Sequence, residues 1–187
     1  METIINIDRE LFLILNHFNH PLADEIMLWI TNKWIWTPLY AFLVVIIVRD
    51  FGKRSLLYLV SITLLIILTD QLTSSAIKPL FERWRPCHDP AIASLTRLVT
   101  PGCGSLYGFV SGHAANSYAL ASFLWLLLGK KDWSWLMIWA GLVAYSRIYV
   151  GVHFPIDVMI GGLLGFGMGI GLLRLARKMD QRIFNPL

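Results

Sequence analysis

The sequence predicts an all-α fold, a polytopic membrane helix bundle, and three observations support this prediction. Of the 187 residues, 56% are hydrophobic and only 15% are charged, and the mean hydropathy is +0.61, whereas soluble domains carry about 25% charged residues. Five long stretches contain no charge. The basic residues between them form clusters. An ordinary soluble domain is excluded, because so few polar groups could not cover its surface.

The five charge-free stretches are the candidate membrane spans. They cover residues 34–48, 55–69, 114–129, 133–146 and 158–173. A helix of about 15 residues rises about 23 Å, whereas the hydrocarbon core of a bilayer is about 30 Å thick. Each span must therefore be completed by polar or charged residues at its ends. The first span, for example, is expected to run from Ala23 to Arg49.

Residues 8–18 precede the first span and differ from it in pattern. Apolar residues recur there at near-helical spacing among polar ones: Leu11, Phe12, Ile14, Leu15 and Phe18. This pattern is typical of an amphipathic helix on the membrane surface, and a sixth, short transmembrane helix is the alternative. We therefore expect five core transmembrane helices plus an N-terminal amphipathic helix, or six spans, in a single integral membrane domain of residues 1–187.

The basic residues predict how the spans are oriented. Nine of the 16 Lys and Arg residues form three clusters: Arg49, Lys53 and Arg54; Lys130 and Lys131; and Arg174, Arg177, Lys178 and Arg182. Counting one crossing per span places all three clusters on one side, as the positive-inside rule requires of the cytoplasmic face. We therefore expect a protein of the cytoplasmic (inner) membrane with a cytoplasmic C-terminus. The polar loop 79–111 then faces the periplasm or cell exterior. Because the basic clusters are explained as cytoplasmic anchors, no nucleic acid partner is expected.

The only two cysteines, Cys87 and Cys103, both lie in this loop. Outside the cytoplasm they can form a disulfide, which would stabilise the loop by about 3 kcal/mol in the chain-entropy treatment. Two free thiols are the alternative. A metal site is not expected, because Cys87, His88 and Cys103 offer too few ligands.

Glycines in the last span predict close helix packing. Gly161, Gly165 and Gly169 recur every four residues. Small residues at this spacing allow helix backbones to approach closely in lipid.

The remaining polar residues gather at the opposite ends of the spans from the basic clusters. Lys78, Arg83 and Arg85 end the second span, Ser111, Gly112 and His113 begin the third, Ser146, Arg147 and His153 end the fourth, and Asp157 begins the fifth. Charged residues at membrane depth usually face a bundle interior or an aqueous cavity and mark functional sites. Because all of these residues fall in one leaflet, we expect them to form one site.

Three cations of this set predict a phosphate pocket. Lys78, Arg85 and Arg147 would repel one another unless an anion lay between them, and guanidinium groups match phosphate oxygens in bidentate fashion. Ser111 and Gly112 precede a helix, and the N–H groups at a helix N-terminus also bind anions.

Two histidines and a carboxylate predict phosphoryl transfer at this pocket. Asp157 lies four residues after His153 and can orient one ring nitrogen, which leaves the other nitrogen as a nucleophile toward phosphorus. His113 can then protonate the leaving alkoxide and later activate water. The cations would stabilise the transition state, so no metal or other cofactor is required.

Three stretches of the sequence resemble the signature motifs of the type 2 phosphatidic acid phosphatase superfamily. The first runs from Lys78 to Arg85-Pro86, the second is Ser111-Gly112-His113, and the third runs from Ser146-Arg147 through His153 to Asp157. The likeness extends over a motif-bearing core of residues 55–178. It implies a membrane lipid phosphatase in which His153 is the nucleophile, His113 the general acid and Asp157 the partner of His153. It also implies that Lys78, Arg85, Ser111, Gly112 and Arg147 bind the phosphate.

Four positions near the motifs are less constrained. Val110 stands where the resembling family usually has proline, which removes a fixed φ but no functional group. Glu82 and Arg83 occupy variable positions of the first motif, where headgroup contacts and simple solvation are both expected. Asp70 is expected to hydrogen-bond within its own span.

The expected substrate is an amphiphile whose phosphate enters the pocket while its tail stays between the spans or in lipid. Undecaprenyl diphosphate, phosphatidylglycerol phosphate, phosphatidic acid and lipid A phosphate are substrate classes of the resembling family. The same residues also suit a lipid phosphotransferase, and the scaffold alone suits a catalytically silent lipid-binding or transport protein. The sequence predicts neither the substrate nor the oligomeric state.

Overall fold

The computed structural model describes residues 2–18, 20–129 and 131–184, and this part of the chain consists of helices joined by loops. The α-helices are α1 (Glu2–Asn16), α2 (Pro21–Thr31), α3 (Thr37–Phe51), α4 (Ser55–Gln71), α5 (Lys78–Phe81), α6 (Gly112–Leu128), α7 (Trp135–Tyr149) and α8 (Pro155–Phe184). A π-helical turn, Leu72–Ile77, joins α4 to α5. The all-α prediction is confirmed for these residues; Lys130, in the second basic cluster, lies outside them.

The helices have the lengths and surfaces of a membrane protein. Two continuous helical stretches are long and apolar enough to cross a bilayer, Lys33–Phe81, which contains α3 to α5, and Pro155–Phe184. Large apolar side chains stand on the outside of the bundle, such as Val45, Leu64 and Leu163 with exposed fractions of 61%, 48% and 66%. Such a surface suits hydrocarbon better than water.

The expected first span is divided into two helices. α2 ends at Thr31, and a 3-10 turn, Lys33–Trp36, precedes α3. The residue between them is Asn32, whose backbone N–H donates to the carbonyl of Trp29 and whose side chain accepts from the Trp34 N–H at 3.0 Å. The segment expected to form the first span is therefore not one continuous helix, because Asn32 caps the end of one helix and the start of the next.

The N-terminal helix α1 covers Glu2–Asn16, and its polar residues do not all face away from the protein. Its buried residues are Asp8, Phe12 and Asn16, which recur every four residues and so share one face of the helix. Apolar residues such as Ile7 and Ile14 are exposed. The helix is therefore docked on the bundle through two polar side chains and one aromatic ring.

Glycines bring α6 and α8 into close contact at the centre of the bundle. A Cβ atom on Gly165 would collide with the carbonyl oxygen of Ala115, and one on Gly169 with that of Ala119. The predicted small-residue packing is thus confirmed. The same contact brings the start of α6 against the start of α8, where the Ser111 N–H donates to the Asp157 carbonyl at 3.0 Å.

Residues 82–111 fold over one end of the bundle, here called the loop end. The Arg85 N–H donates to the Leu106 carbonyl at 3.1 Å and the Gly108 N–H to the Arg83 carbonyl at 2.8 Å, so two extended segments run side by side. Cys87 and Cys103 form a disulfide with Cα atoms 6.2 Å apart. Sulfur atoms in a disulfide are not thiolates, the form in which cysteine ligates metals.

Candidate active site

A cavity of about 770 Å³ opens among the helices and reaches the loop end. Six of the eight predicted site residues line it: Lys78, Arg85, Gly112, His113, Arg147 and His153. The other two, Ser111 and Asp157, are fully buried beside it and are joined by the backbone hydrogen bond already described. The structure therefore brings all eight residues together from four separate parts of the chain.

A tight turn after α7 carries His153 to the cavity wall. Gly151 has a φ of +88°, and a Cβ atom there would collide with the carbonyl oxygen of Arg97, so this position requires glycine. The backbone N–H groups of Val152 and His153 both donate to the Arg147 carbonyl, at 3.1 and 3.3 Å. The turn thus folds His153 back over the end of the helix that bears Arg147.

The two ring nitrogens of His153 have different neighbours. Nδ1 lies 3.5 Å from Oδ2 of Asp157, and Nε2 lies 3.2 Å from Nη1 of Arg85. Because a guanidinium group can only donate, Nε2 acts as the acceptor, and the ring proton is assigned to Nδ1 on the Asp157 side. The lone pair of Nε2 is thereby kept on the side of Arg85, one of the three cations predicted to bind phosphate.

His153 lies in the turn between α7 and α8, outside the helical stretches long and apolar enough to cross a membrane. Burial lowers the pKa of His153 well below its ordinary value, and the nearby charges of Arg85 and Arg147 lower it further. The imidazole is therefore neutral at neutral pH, which is the form that a nucleophile requires.

The carboxylate of Asp157 is held from two further directions. Oδ2 accepts a hydrogen bond from the Phe154 N–H at 3.1 Å, and Oδ1 accepts one from Nη1 of Arg83 at 2.7 Å. Arg83 also forms an ion pair with Asp8 of α1. Headgroup contacts or simple solvation were expected for Arg83, whereas its guanidinium pairs with two buried carboxylates. The sequence-based prediction did not include Asp8, for which the spacing of Asp8 and Asn16 on the Phe12 face was the available signal.

The cations of the site are fixed by loop and helix contacts. Nε of Arg85 donates to the Ser105 carbonyl at 2.7 Å, and its Nη1 donates to the Val152 carbonyl at 3.1 Å. Nη1 of Arg147 donates to the Thr31 hydroxyl at the end of α2. Lys78 directly follows the π-helical turn Leu72–Ile77. Turns of this kind often mark functional sites.

Within the described residues, three buried polar atoms of the site make no hydrogen bond: Ser111 Oγ, Arg147 Nε and His153 Nδ1. Buried polar atoms without a partner are rare in native proteins and call for a functional explanation. Gly112 follows Ser111 at the N-terminus of α6, where backbone N–H groups can bind an anion. Donors and cations thus converge on one end of the cavity.

The rest of the cavity is largely apolar. Its wall there is formed mainly by α3 and α4, and residues of α6 and α7 complete it: Tyr40, Leu43, Ile47, Leu59, Ile62, Ile66, Leu120, Leu124, Trp139 and Val143. The cavity is therefore cationic at the loop end and apolar along these helices. An amphiphile with an anionic headgroup and a hydrocarbon tail matches this division.

The amino-acid sequence is similar to a protein family and to named lipid phosphatases. A family model described as the PAP2 superfamily matches residues 55–180. The lipid A 4'-phosphatase of Porphyromonas gingivalis is 39% identical over 172 residues, which cover 90% of this chain and 72% of that protein. The lipid A 4'-phosphatase of Bacteroides thetaiotaomicron is 37% identical over 187 residues, covering 98% and 83% respectively.

A solved structure agrees with these sequence likenesses. The crystal structure of Aquifex aeolicus LpxE matches with a TM-score of 0.65 and 27% sequence identity, covering 88% of this chain and 93% of that one. The family match spans more than half of the chain and includes all eight predicted site residues. The chain therefore belongs to the PAP2 superfamily and is a membrane hydrolase that acts on lipid phosphate esters.

Proposed function

We propose that this hydrolase removes phosphate from a membrane lipid through a covalent phosphohistidine on His153, without a metal ion. One observation carries the proposal. His153 presents Nε2 beside Arg85 on the wall of the cationic end of the cavity, while its Nδ1 is turned toward Asp157. This is the geometry of an oriented nucleophile next to a phosphate cradle.

Binding of the phosphate comes first. Lys78, Arg85 and Arg147 neutralise its charge, and the N–H groups at the start of α6 complete the cradle. The unpartnered Nε of Arg147 and the unpartnered hydroxyl of Ser111 are further donors for its oxygens. The lipid tail occupies the apolar part of the cavity.

Attack on phosphorus follows. The Nε2 lone pair of His153 forms the N–P bond while the bond from phosphorus to the lipid oxygen breaks, and the leaving oxygen takes a proton from His113. Asp157 stabilises the positive charge that develops on the His153 ring. The three cations stabilise the negative charge spread over the phosphoryl oxygens, which is the task that a metal ion performs in other phosphatases.

Hydrolysis of the intermediate completes the cycle. His113, now neutral, accepts a proton from water as the water oxygen attacks phosphorus and the N–P bond breaks. Inorganic phosphate leaves with the electron pair of the N–P bond returned to Nε2 of His153. If a lipid hydroxyl replaced water in this step, the enzyme would be a phosphotransferase.

We propose a lipid A phosphate, a phosphomonoester on a sugar headgroup with several acyl chains, as the preferred substrate class. Two relatives that match over most of this chain are named lipid A 4'-phosphatases. The polar side chains of Asp70, Gln71 and Ser74 also line the cavity near Lys78 and can hydrogen-bond sugar hydroxyls. Undecaprenyl diphosphate and phosphatidylglycerol phosphate are the alternatives.

The proposed setting is the cytoplasmic membrane, with the loop end facing the periplasm or cell exterior. The basic clusters at the opposite end of the spans support this orientation through the positive-inside rule. We further propose that residues 1–187 form one domain with five core spans. Hydrogen bonds of α1 with Ile156 and Arg97, and of α2 with Arg147, support including the N-terminal helices.

The experiment uses the purified full chain in detergent with a panel of lipid phosphates. We expect phosphate release in the presence of EDTA, inhibition by vanadate, and highest kcat/KM for the lipid A phosphate. His153→Ala should remain folded and form no phosphoenzyme. Strict dependence on an added divalent metal, or an active His153→Ala enzyme, would contradict the mechanism. Transfer of labelled phosphate to a lipid alcohol in preference to water would identify a phosphotransferase.

A further inference from the structure

We propose that Arg83 and Asp8 are positioning residues that hold Asp157 in register with His153, so that the N-terminal helix α1 takes part in catalysis without contacting substrate. The inference rests on the proposed roles of His153 and Asp157. Neither Arg83 nor Asp8 belongs to the eight predicted site residues, and Asp8 lies outside the matched family region, residues 55–180.

One guanidinium group bridges two buried carboxylates. Nη1 of Arg83 lies 2.7 Å from Oδ1 of Asp157, and Nη2 lies 2.5 Å from Oδ2 of Asp8. Both carboxylate side chains are fully buried, whereas the Arg83 side chain retains 22% of its exposure. A buried carboxylate without such a cation would be strongly disfavoured as an anion.

Asp8 also holds the backbone next to Asp157. Its Oδ1 accepts a hydrogen bond from the Ile156 N–H at 3.0 Å, in the first turn of α8. Asp8 thus contacts both the arginine that binds Asp157 and the helix turn that carries Asp157. A movement of α1 would be transmitted to the carboxylate by two routes.

Arg83 is itself fixed in place. Its guanidinium lies over the ring of Phe154, 4.4 Å from the centroid, and that ring packs edge-on against Phe12 of α1 with centroids 5.4 Å apart. The Arg83 carbonyl accepts from the Gly108 N–H. Stacking and hydrogen bonds therefore leave the guanidinium little freedom to release Asp157.

Arg83 acts through Asp157 and not on the substrate. It does not line the cavity that contains Lys78, Arg85 and Arg147, but a second cavity of about 640 Å³ formed with α1. With Oδ1 of Asp157 occupied by Arg83 and Oδ2 accepting from Phe154, Oδ2 is the carboxylate oxygen nearest to Nδ1 of His153. Loss of either positioning residue should therefore slow phosphohistidine formation and leave phosphate binding intact.

The test compares Arg83→Gln, Arg83→Lys and Asp8→Asn with a control variant of Arg9, which lies on α1 beside Asp8. Arg9 pairs with Asp89 at 2.9 Å and so also ties α1 to the loop, but it does not touch Asp157. We expect Arg83→Gln to lower kcat by about 10- to 100-fold and Asp8→Asn by about tenfold, with KM changed by less than about twofold. Arg9→Gln should keep kcat within about twofold of the wild type.

Two further comparisons separate positioning from simple stabilisation of the fold. Arg83→Lys keeps the charge and should retain a higher kcat than Arg83→Gln. The double variant Asp8→Asn/Arg83→Gln should be no slower than Arg83→Gln alone, because the two residues act as one unit. Thermal melting of each variant in detergent reports folding, and if Arg83→Gln does not fold, Arg83→Lys and Asp8→Asn still decide the question.

Wild-type kcat in Arg83→Gln and Asp8→Asn would overturn the inference, as would an equal loss in Arg9→Gln, which would reduce the role of α1 to docking. His153→Ala is measured alongside. An inactive His153→Ala enzyme together with fully active Arg83 and Asp8 variants would reject this inference alone. An active His153→Ala enzyme would reject the proposed mechanism first.

Discussion

Nδ1 of His153 and Oδ2 of Asp157 lie 3.5 Å apart across the turn that joins α7 to α8. The carboxylate belongs to the first turn of α8, and the imidazole belongs to a turn folded over the end of α7. Their relative position therefore depends on how the two helices pack. In the proposed mechanism this pair determines which nitrogen attacks phosphorus.

Asp157→Asn should lower kcat by about 10²- to 10⁴-fold with little change in KM, because the amide orients the ring poorly and cannot stabilise the imidazolium. Steady-state kinetics on a lipid phosphate would measure both constants. Asp180→Asn is the matched control, since Asp180 is a buried acid of the same helix that pairs with Arg54. A near-normal kcat in Asp157→Asn would contradict the proposed role.

Gly108→Ala should reduce activity by crowding the same pair. A methyl carbon on Gly108 would lie 3.1 Å from Cγ of Arg85 and 3.2 Å from Oδ2 of Asp157, so these groups must shift. Because small misplacements at a reacting centre are costly, we expect kcat to fall by about tenfold or more. In Gly102→Ala nothing lies within 4 Å of the added methyl, and this control should match the wild type.

The pH dependence of kcat/KM should reflect a neutral His153. Burial and the neighbouring cations lower the pKa of this residue, so the ring stays unprotonated until the pH falls through that lowered value, and activity is then lost. The acidic limb from His153 should therefore lie below about pH 6.5, the ordinary histidine value. Bound phosphate offsets the cations, so the limb of kcat should lie at higher pH. A His153-dependent limb of kcat/KM at about pH 7 or above would contradict this assignment.

Ile62→Trp should obstruct the apolar part of the cavity. The larger ring is expected to raise KM about tenfold for a substrate with long acyl chains, the size of effect that overpacking produces. A short-chain phosphate ester should be hydrolysed as before. Leu64→Trp is the control, because Leu64 is on the same helix but is 48% exposed and does not line the cavity. Equal effects of both variants on both substrates would argue against a tail-binding role.

The motif residues could be predicted from sequence because each signal is local. Lys78, Arg85, His113, Arg147, His153 and Asp157 stand at the ends of apolar stretches, where charge is conspicuous, and their order matches a family pattern. Helix packing could also be predicted from Gly165 and Gly169, since small residues at a spacing of four have one main use in lipid. Because successive spans cross the bundle in opposite directions, the span ends that carry these residues lie at the same end of the bundle.

Other features depended on contacts between distant parts of the chain. The break at Asn32 lies within a stretch that composition alone suggested was one span. Asp8 and Arg83 are 75 positions apart in sequence, and neither residue type indicates its partner. Arg85 reaches Ser105 only because the loop folds back on itself.

The sequence by itself determined that the chain is an all-α membrane protein and which polar residues meet at one end of it, and it predicted the chemistry proposed for them. These properties follow from the local distribution of charge and apolar residues, which the bilayer selects directly. Only the tertiary structure decided that Arg83 holds Asp157, that α1 supplies Asp8 to Arg83, and that the cationic site continues into an apolar cavity lined mainly by α3 and α4. Those features arise from packing between helices far apart in the chain. The pattern of residues within one helix does not indicate which other helix packs against it.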